Sequence, residues 1–180
     1  RSVKINPETD IYGIRIGRVE TAYKMWINQK LVVERGETAR NPDDMKPKWL
    51  PTEIFVDSEN KALEILIAVS NFKHRKGGIS QSIYFGTPKQ IISHEKQNVG
   101  FDFFLLGLLL IMSMYHFGLF VLRRKDLSSL FFGLLCFFTG THLIVNGEIL
   151  LAQIFPDFNW EILMKINFVS NFLRLAFFTL

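Results

Sequence analysis

The chain has 180 residues, a formal net charge of +4 at pH 7 and 48% hydrophobic residues. These figures average two unlike halves, because most charged residues precede residue 99, whereas fifteen of the eighteen Phe follow it. The basic excess of the first half is small, which argues against a nucleic-acid-binding surface. The single cysteine, Cys136, excludes an intrachain disulfide and leaves the redox compartment open.

The first half begins with the period of two that is typical of strands with one buried face. Residues 12–17 alternate apolar side chains with Gly and Arg. Residues 23–28 repeat the alternation and place Trp26 and Asn28 on the face opposite the apolar one. The run "NQK" that follows predicts a hairpin turn, because Asn tolerates a left-handed backbone.

A polar, Pro-containing loop over residues 36–51 has Trp49 near its end and separates these strands from two more. Residues 62–69, "ALEILIAV", are apolar on both faces over much of their length, which predicts a central strand. Residues 80–85 predict the next strand. Many short strands with turns between them, and no good amphipathic helix, predict an antiparallel β-sandwich or jelly roll over residues 1–98.

Residues 70–79, "SNFKHRKGGI", form a basic turn that ends in two glycines. Gly77 and Gly78 suit a bulge or a tight return into the next strand, because glycine adopts backbone angles closed to other residues. Asn71 caps such a turn through neighbouring backbone groups. One interpretation is that these three residues only shape the loop, while the basic side chains between them are solvated.

The functional interpretation of the same turn is a ligand site. His74 and Arg75 would donate hydrogen bonds to a sugar hydroxyl or a carboxylate. Trp26, with Asn28 on its face, or Trp49 would supply an apolar platform for a sugar ring. A third interpretation is contact between the basic turn and lipid headgroups or the outer loops of the helical bundle.

The second half contains apolar runs of the length that crosses a bilayer, about 30 Å of hydrocarbon. Residues 99–122 and 127–151 form two such runs, and a third begins near Trp160 after the polar loop 153–160. The run "RRKD" at residues 123–126 separates the first two. We therefore expect the first three spans of a multi-pass membrane domain over residues 99–180.

The orientation follows from the basic residues, which favour the cytoplasmic side. The loop 123–126 carries three of them and the loop 153–160 carries none. We therefore expect a protein of the cytoplasmic (inner) membrane whose residues 1–98 are periplasmic or extracellular, where nucleic acid is not a partner.

Polar residues within apolar spans are costly and usually face the interior of a helical bundle. Three of them recur at i, i+4 and i+7 in the third span, on one helix face. They serve either as hydrogen-bonding groups between helices or as a relay that carries an outside event inward. The residues are His116, His142, Asn146, Asn167, Asn171 and Arg174.

The order of motifs "YKMWINQKLV", "LP", "LEILIAVSNF", "RKGGI" and "IYFG" resembles the extracytoplasmic jelly-roll domain of a receptor family. These are the bacterial seven-transmembrane receptors with diverse intracellular signalling modules. The run "YHFGLFVLRRKD" resembles their first span and inner loop. The resemblance implies a galactose-binding-like fold and a sensory receptor whose output module is a cyclase, kinase, diguanylate cyclase or phosphatase. The chain departs from the family in having Gln29 in place of the hairpin Gly, and in having three of seven spans.

No catalytic constellation, metal-ligand spacing or phosphate loop is present in the sequence, so we expect no cofactor and no enzymatic activity in this stretch. The chain begins without Met and stops inside an apolar run, so we expect a fragment of a longer protein. The leading hypothesis is a sensor that binds a small carbohydrate-like or carboxylated ligand. The alternatives are a membrane-anchored interaction module that forms homodimers, and the accessory domain of a transporter or membrane enzyme.

Overall fold

The computed structural model describes residues 2–4, 11–57 and 62–179, and the chain divides into two compact units, Arg1–Lys96 and Gln97–Leu180. The first unit is built mainly from seven described strands. They are β1 (Ser2–Lys4), β2 (Ile11–Ile16), β3 (Ala22–Ile27), β4 (Lys30–Arg35), β5 (Thr52–Asp57), β6 (Ala62–Ser70) and β7 (Ile83–Gly86).

The strands form two antiparallel sheets, one of four strands in the order β1-β6-β3-β4 and one of three in the order β5-β2-β7. Ile14 and Ile16 of the smaller sheet share a single buried cluster with Tyr23, Met25 and Leu63 of the larger sheet. Because both sheets contribute to one core, the unit is a β-sandwich, and this prediction is confirmed. The jelly-roll detail stays a prediction.

The predicted hairpin is also confirmed, since β3 and β4 are joined by Asn28 and Gln29. Their φ angles are 47° and 66°, so both central residues are left-handed, as a two-residue hairpin with the twist of its strands requires. Gln29 therefore adopts the conformation that glycine would adopt at lower cost. Asn28 accepts a bond from the Glu64 amide through Oδ1 (3.0 Å) and donates its own amide to the Glu64 carbonyl (3.0 Å).

Two expectations for the strands need correction or refinement. β6 is central in its sheet, as predicted, but Leu66 on its outer face is 62% exposed. β2 was expected to have one buried face, and that is wrong, because Arg15 on the opposite face is only 2% exposed. The physical reason is a helix that covers this face of the smaller sheet.

The helices are α1 (Pro88–Leu122), α2 (Leu127–Val145), α3 (Leu150–Ile154) and α4 (Trp160–Phe178). α1 begins at Pro88 instead of near residue 99, so the expectation of no helix in the first half was wrong. Its start is a capping box: the Gln90 amide donates to Thr87 Oγ1 (3.4 Å), and the Thr87 amide donates to Gln90 Oε1 (2.9 Å). Pro88 occupies the first helical position, where the missing amide is not needed.

α2 ends at Val145, earlier than the predicted residue 151, because the chain turns through residues 146–149 with Ile149 at a φ of 52°. This turn is held by α1: the Glu148 amide donates to Asp102 Oδ2 (3.1 Å), and Asn98 Nδ2 donates to Glu148 Oε1 (3.0 Å). Asp126 caps the start of α2 by accepting from the Ser129 amide (3.4 Å), and it also accepts from the Ser129 hydroxyl (2.7 Å).

Among the described residues, two helices are long and apolar enough to cross a membrane, α1 and α2. Small residues bring them together, since Ser113 Oγ donates to the Gly133 carbonyl at 2.9 Å. α4 begins at Trp160 as predicted but carries Glu161, Lys165 and Arg174, and it is not among the helices that meet this criterion. Its role as a third span stays a prediction.

Candidate functional site

Residues 71–78, here called the basic loop, connect the end of β6 to Ile79. Asn71 holds the loop in shape: its Nδ2 donates to the carbonyls of His74 (2.8 Å) and Lys76 (3.1 Å), and its Oδ1 accepts the His74 amide (3.0 Å). A Cβ on Gly77 would lie 2.6 Å from Asn71 Nδ2, and Gly78 has a φ of 90°. Asn71 and the two glycines thus fix the backbone of the loop.

The basic loop lies against residues 18–21, which link β2 to β3. The Glu20 amide donates to the Gly78 carbonyl (3.2 Å), and Ile79 forms an isolated bridge with Val19. The Thr21 hydroxyl donates to the Ser70 carbonyl at the base of the loop. These bonds join the two segments at one end of the sandwich.

A buried carboxylate lies beneath the basic loop. The side chain of Glu20 is 1% exposed, and its oxygens are 3.4 Å from Arg18 Nη2 and 3.6 Å from His74 Nδ1. Neither oxygen accepts a hydrogen bond from the described residues, so the carboxylate is compensated by the charge of the Arg18 guanidinium, and by His74 only when that ring is protonated. Burying a carboxylate without hydrogen bonds costs desolvation free energy, and a nearby cation offsets part of that cost.

Trp49 completes this cluster from the loop before β5. Its indole N–H donates to the Glu20 carbonyl, and its ring lies edge-on to the His74 ring with centroids 6.0 Å apart. The Arg18 guanidinium lies 5.2 Å from the centre of the indole ring, within the range of a cation–π contact. Trp49 is 2% exposed, so it has no open ring face for a sugar in this structure.

The outward surface of the basic loop is cationic. Lys73, Arg75 and Lys76 are exposed, whereas His74 faces inward and donates through Nδ1 to the Lys76 carbonyl at 2.7 Å. Free guanidinium and ammonium groups on a fixed backbone can donate to carboxylate, phosphate or hydroxyl oxygens. The loop therefore has the chemistry of an anion-recognising surface.

The structure brings some predicted site residues together and separates others. His74, Trp49 and Asn71 meet at the basic loop. Trp26 is half-buried on the outer face of the larger sheet, opposite Leu66, and Asn28 lies in the next turn. Trp26 is four residues from Ala22, which pairs with Ser70, so it lies about 13 Å along the strand from the start of the loop. Ligand binding by any of these residues stays a prediction.

Arg18 and Glu20 belong to the cluster, but reasoning from the sequence missed them. Both lie in a short link with no motif, and a charged residue there is usually solvated. Their burial depends on the basic loop and on Trp49, which are distant in sequence. No local signal in the sequence indicates that arrangement.

Within the second unit, the predicted polar residues form two small groups. His142 Nε2 accepts from Asn146 Nδ2 at 3.1 Å, and His142 Nδ1 lies 3.4 Å from the Ser170 hydroxyl, which connects α2 to α4. The Ser170 hydroxyl also donates to the Asn167 carbonyl at 3.1 Å. This geometry is what hydrogen bonding between helices requires.

The second group lies further along α4, where Arg174 Nη2 donates to Asn171 Oδ1 at 2.8 Å. Arg174 and Thr139 line a cavity of ≈ 430 Å³ that is bounded by α1, α2 and α4. His116 is separate from both groups: its ring packs against Phe132, with centroids 4.5 Å apart.

Comparison with known proteins gives one family match. Residues 98–180 match a family model described as 7TM diverse intracellular signalling. This stretch of the chain is similar to that family. The match confirms the resemblance drawn from the sequence, and the family is one of transmembrane sensory receptors, not of catalytic domains.

The match begins at residue 98, so it does not include the β-sandwich. No curated protein and no solved structure matches the chain. The family match and the two apolar helices together indicate a membrane protein. What the sandwich recognises therefore has to be argued from its own residues.

Proposed function

We propose that this chain is the sensory part of a transmembrane receptor in the cytoplasmic membrane, with a sandwich that binds a small ligand outside the cytoplasm. The family match of residues 98–180 is the observation that carries the receptor assignment. Ligand binding is supported by the basic loop, whose backbone is fixed by Asn71 and whose cations are exposed.

The ligand class follows from the groups that the basic loop presents. Lys73, Arg75 and Lys76 offer only donors, so they select acceptor oxygens, and Arg75 can grip a carboxylate with two parallel bonds. A carboxylated small molecule, including an acidic sugar, fits these groups better than a neutral sugar. The buried Glu20 carboxylate would repel a carboxylated ligand that entered beneath the loop, so we expect the ligand to bind at the outer surface of the loop.

The orientation is supported by the loop between α1 and α2. Arg123, Arg124 and Lys125 lie there, and basic residues favour the cytoplasmic side of a span. α1 is a single helix from Pro88 to Leu122, so its backbone is helical on both sides of the boundary between the two units. A ligand changes the signalling state only if it binds one arrangement of the receptor more tightly than the other.

The ligand site is tested by a thermal-shift screen of the full 180-residue chain in nanodiscs against sugars and organic acids. We expect carboxylated compounds to raise the melting temperature, and the Arg75→Ala variant to lose that shift. Arg40→Ala is the matched control, because Arg40 is an exposed arginine in the loop between β4 and β5. A screen without any shift, or equal shifts for both variants, would rule out this site.

The orientation is tested separately by labelling intact cells with a membrane-impermeant thiol reagent. Two variants are needed, Arg75→Cys and Arg124→Cys, each with Cys136→Ser to remove the natural thiol. We expect labelling at position 75 and none at position 124 until the cells are opened. The reverse pattern would contradict the receptor topology without bearing on the ligand screen.

A second candidate function is an interaction module that forms homodimers through the sandwich. The observation that favours it is an apolar row on the outer face of the larger sheet, where Leu66, Trp26 and Leu31 pair across three strands. Leu66 is 62% and Leu31 47% exposed. Sedimentation of the wild type and of Leu66→Glu distinguishes this function from the ligand sensor. If the row forms a dimer, the wild type sediments with the mass of a dimer and Leu66→Glu with that of a monomer.

A further inference from the structure

The first turns of α1 are docked on the outer face of the three-stranded sheet. Ile91, His94 and Glu95 recur at i, i+3 and i+4, so they lie on one helix face. Ile91 is 3% exposed and packs over Gly13 of β2, while the His94 ring lies 4.2 Å from the Tyr84 ring of β7. All these residues belong to the first compact unit.

Gly13 is what lets the helix approach the sheet. A Cβ at this position would lie 2.7 Å from Ile91 Cγ1 and 3.2 Å from the Phe55 ring. Both distances are too short for a side chain to be added without movement. The docking surface is therefore a close contact between a helix and a bare strand backbone.

A row of polar side chains crosses the same face of the sheet. Arg15 pairs in register with Glu53 of β5 and with Tyr84 of β7, so the three side chains lie on one side. Arg15 Nη1 donates to Glu53 Oε1 at 2.8 Å, and their side chains are 3% and 19% exposed. Glu95 of α1 is the fourth member: it lies one helical turn after Ile91, which packs over Gly13, and next to His94, which meets Tyr84 beside Arg15, and its carboxyl group raises the pKa of Glu53.

Two carboxyl groups thus share one cation at the contact between helix and sheet. When both are ionised they repel each other, and Arg15 compensates only in part. When one carries a proton it can donate to the other, and the repulsion becomes a hydrogen bond. Burial is the main cause that raises the pKa of Glu53, the neighbouring Glu95 adds to it, and Arg15 acts in the opposite direction.

We propose that the receptor has a second input, the proton, which binds between Glu53 and Glu95 and strengthens the docking of α1 on the sheet. The proton is the ligand, and the two carboxyl groups are its site. The proposal concerns docking alone, so it stands whether or not the basic loop binds a carboxylated molecule. α1 continues into the first apolar span. A change in the docking of its first turns can therefore be transmitted along the helix to that span.

The direction of the effect follows from linkage between protons and docking. A carboxyl group whose pKa is raised in the docked state binds protons more tightly there than in the undocked state. Docking is therefore weakened as the pH rises from the ordinary carboxyl value of 4.5 through the raised pKa, and it gains strength as the pH falls through that window.

Other ionisable groups on the packed elements have to be separated from this pair. They are Arg15 on β2, which stays charged, Tyr84 on β7, and His94 on α1. His94 is the one that could imitate the effect, because a histidine also gains a proton on acidification. It therefore needs its own variant.

The docked fraction can be measured by pulsed electron paramagnetic resonance on the full chain in nanodiscs. Spin labels are attached to Ser93→Cys on α1 and Lys30→Cys in the β3–β4 hairpin, with Cys136→Ser in the background. Both labelled positions are exposed and lie in the first unit. We expect the short, docked distance to gain population as the pH falls from about 7.5 to about 4.5, by at most tenfold per pH unit for one linked proton.

Three variants decide the assignment. Glu95→Gln keeps a donor toward Glu53 without the charge, so it should stay docked at neutral pH and respond to pH less than the wild type, because only the burial of Glu53 still raises its pKa. His94→Gln and Lys96→Gln, the latter a charge change at the next and exposed residue, should keep the response. The inference is overturned if the wild type shows no pH response, if Glu95→Gln responds like the wild type, or if His94→Gln abolishes the response.

A second substitution at position 95 distinguishes this mechanism from a change in response that is caused by misfolding. Glu95→Ala cannot hydrogen-bond to Glu53, so it should also respond to pH less than the wild type, but with a smaller docked fraction than Glu95→Gln. Equal docked fractions in the two variants would contradict a hydrogen-bonded pair. Far-ultraviolet circular dichroism of each labelled protein establishes that the strands are retained.

Discussion

The outer faces of the two sheets in the sandwich differ in what covers them. On the larger sheet, β6 presents Leu66 at 62% exposure, and Lys24 pairs with Glu34 at 3.0 Å in partly solvated surroundings. On the smaller sheet, α1 covers β2, and Arg15 pairs with Glu53 at 2.8 Å with only 3% of the arginine side chain exposed. The same kind of cross-strand ion pair is thus placed in two environments.

The comparison shows that the contribution of an ion pair to stability depends on whether another element covers it, and not on the sequence pattern of its strand. An exposed pair is weakened by solvent and by side-chain entropy, whereas a covered pair becomes expensive to break, because the remaining charge is left without water. The covered face can therefore couple charge to the position of a helix. The Lys24–Glu34 pair on the exposed face cannot do this, because no helix packs over it among the described residues.

The largest effect is expected from Arg15→Met, which leaves Glu53 and Glu95 without their cation beneath α1. We expect a loss of about 3 kcal/mol in the free energy of unfolding at neutral pH, the low end for a broken buried pair. The loss should shrink as the pH falls toward 4.5, because protonation of Glu53 removes the charge that lacked a partner. Denaturant unfolding at two pH values measures both quantities, and a loss that grows on acidification would contradict the sign.

An intermediate effect is expected from Gly13→Val, which forces a side chain between the strand and Ile91. Overpacking of this kind costs about 1–3 kcal/mol, and here it should also release the first turns of α1. Ala68→Val is the control, because Ala68 lies on the exposed outer face of β6, where the change should stay within about 0.5 kcal/mol. Similar losses for the two variants would show that coverage is not what distinguishes the faces.

The smallest effect is expected from Lys24→Met, which breaks the ion pair on the exposed face. We expect a change of about 0–1 kcal/mol, as for other solvated ion pairs, and a further reduction in salt. The matched comparison is Arg15→Met under the same conditions. If the two substitutions cost the same, the covered pair has no special role and the docking argument loses its basis.

Some features of the site were within reach of the sequence and others were not. "TPKQ", residues 87–90, is a capping box with proline at the first helical position, and it indicates the start of α1 at Pro88. It was overlooked because the apolar run that dominates the pattern begins later. By contrast, nothing near Glu20 in the sequence predicts that a histidine 54 residues later would lie 3.6 Å from it.

The sequence by itself determined the period-two strands, the Asn28–Gln29 hairpin and the apolar helices, because these depend on local backbone preference and on hydropathy over one segment. Only the tertiary structure decided that Arg15 is buried, that Trp49 faces Glu20, and that Glu53 meets Glu95. These depend on which distant segment covers a given face, and a charge that is solvated in one packing becomes a partner in another. The placement of the charged groups is therefore decided by contacts between elements, since burial and dielectric are properties of neighbours and not of the residue itself.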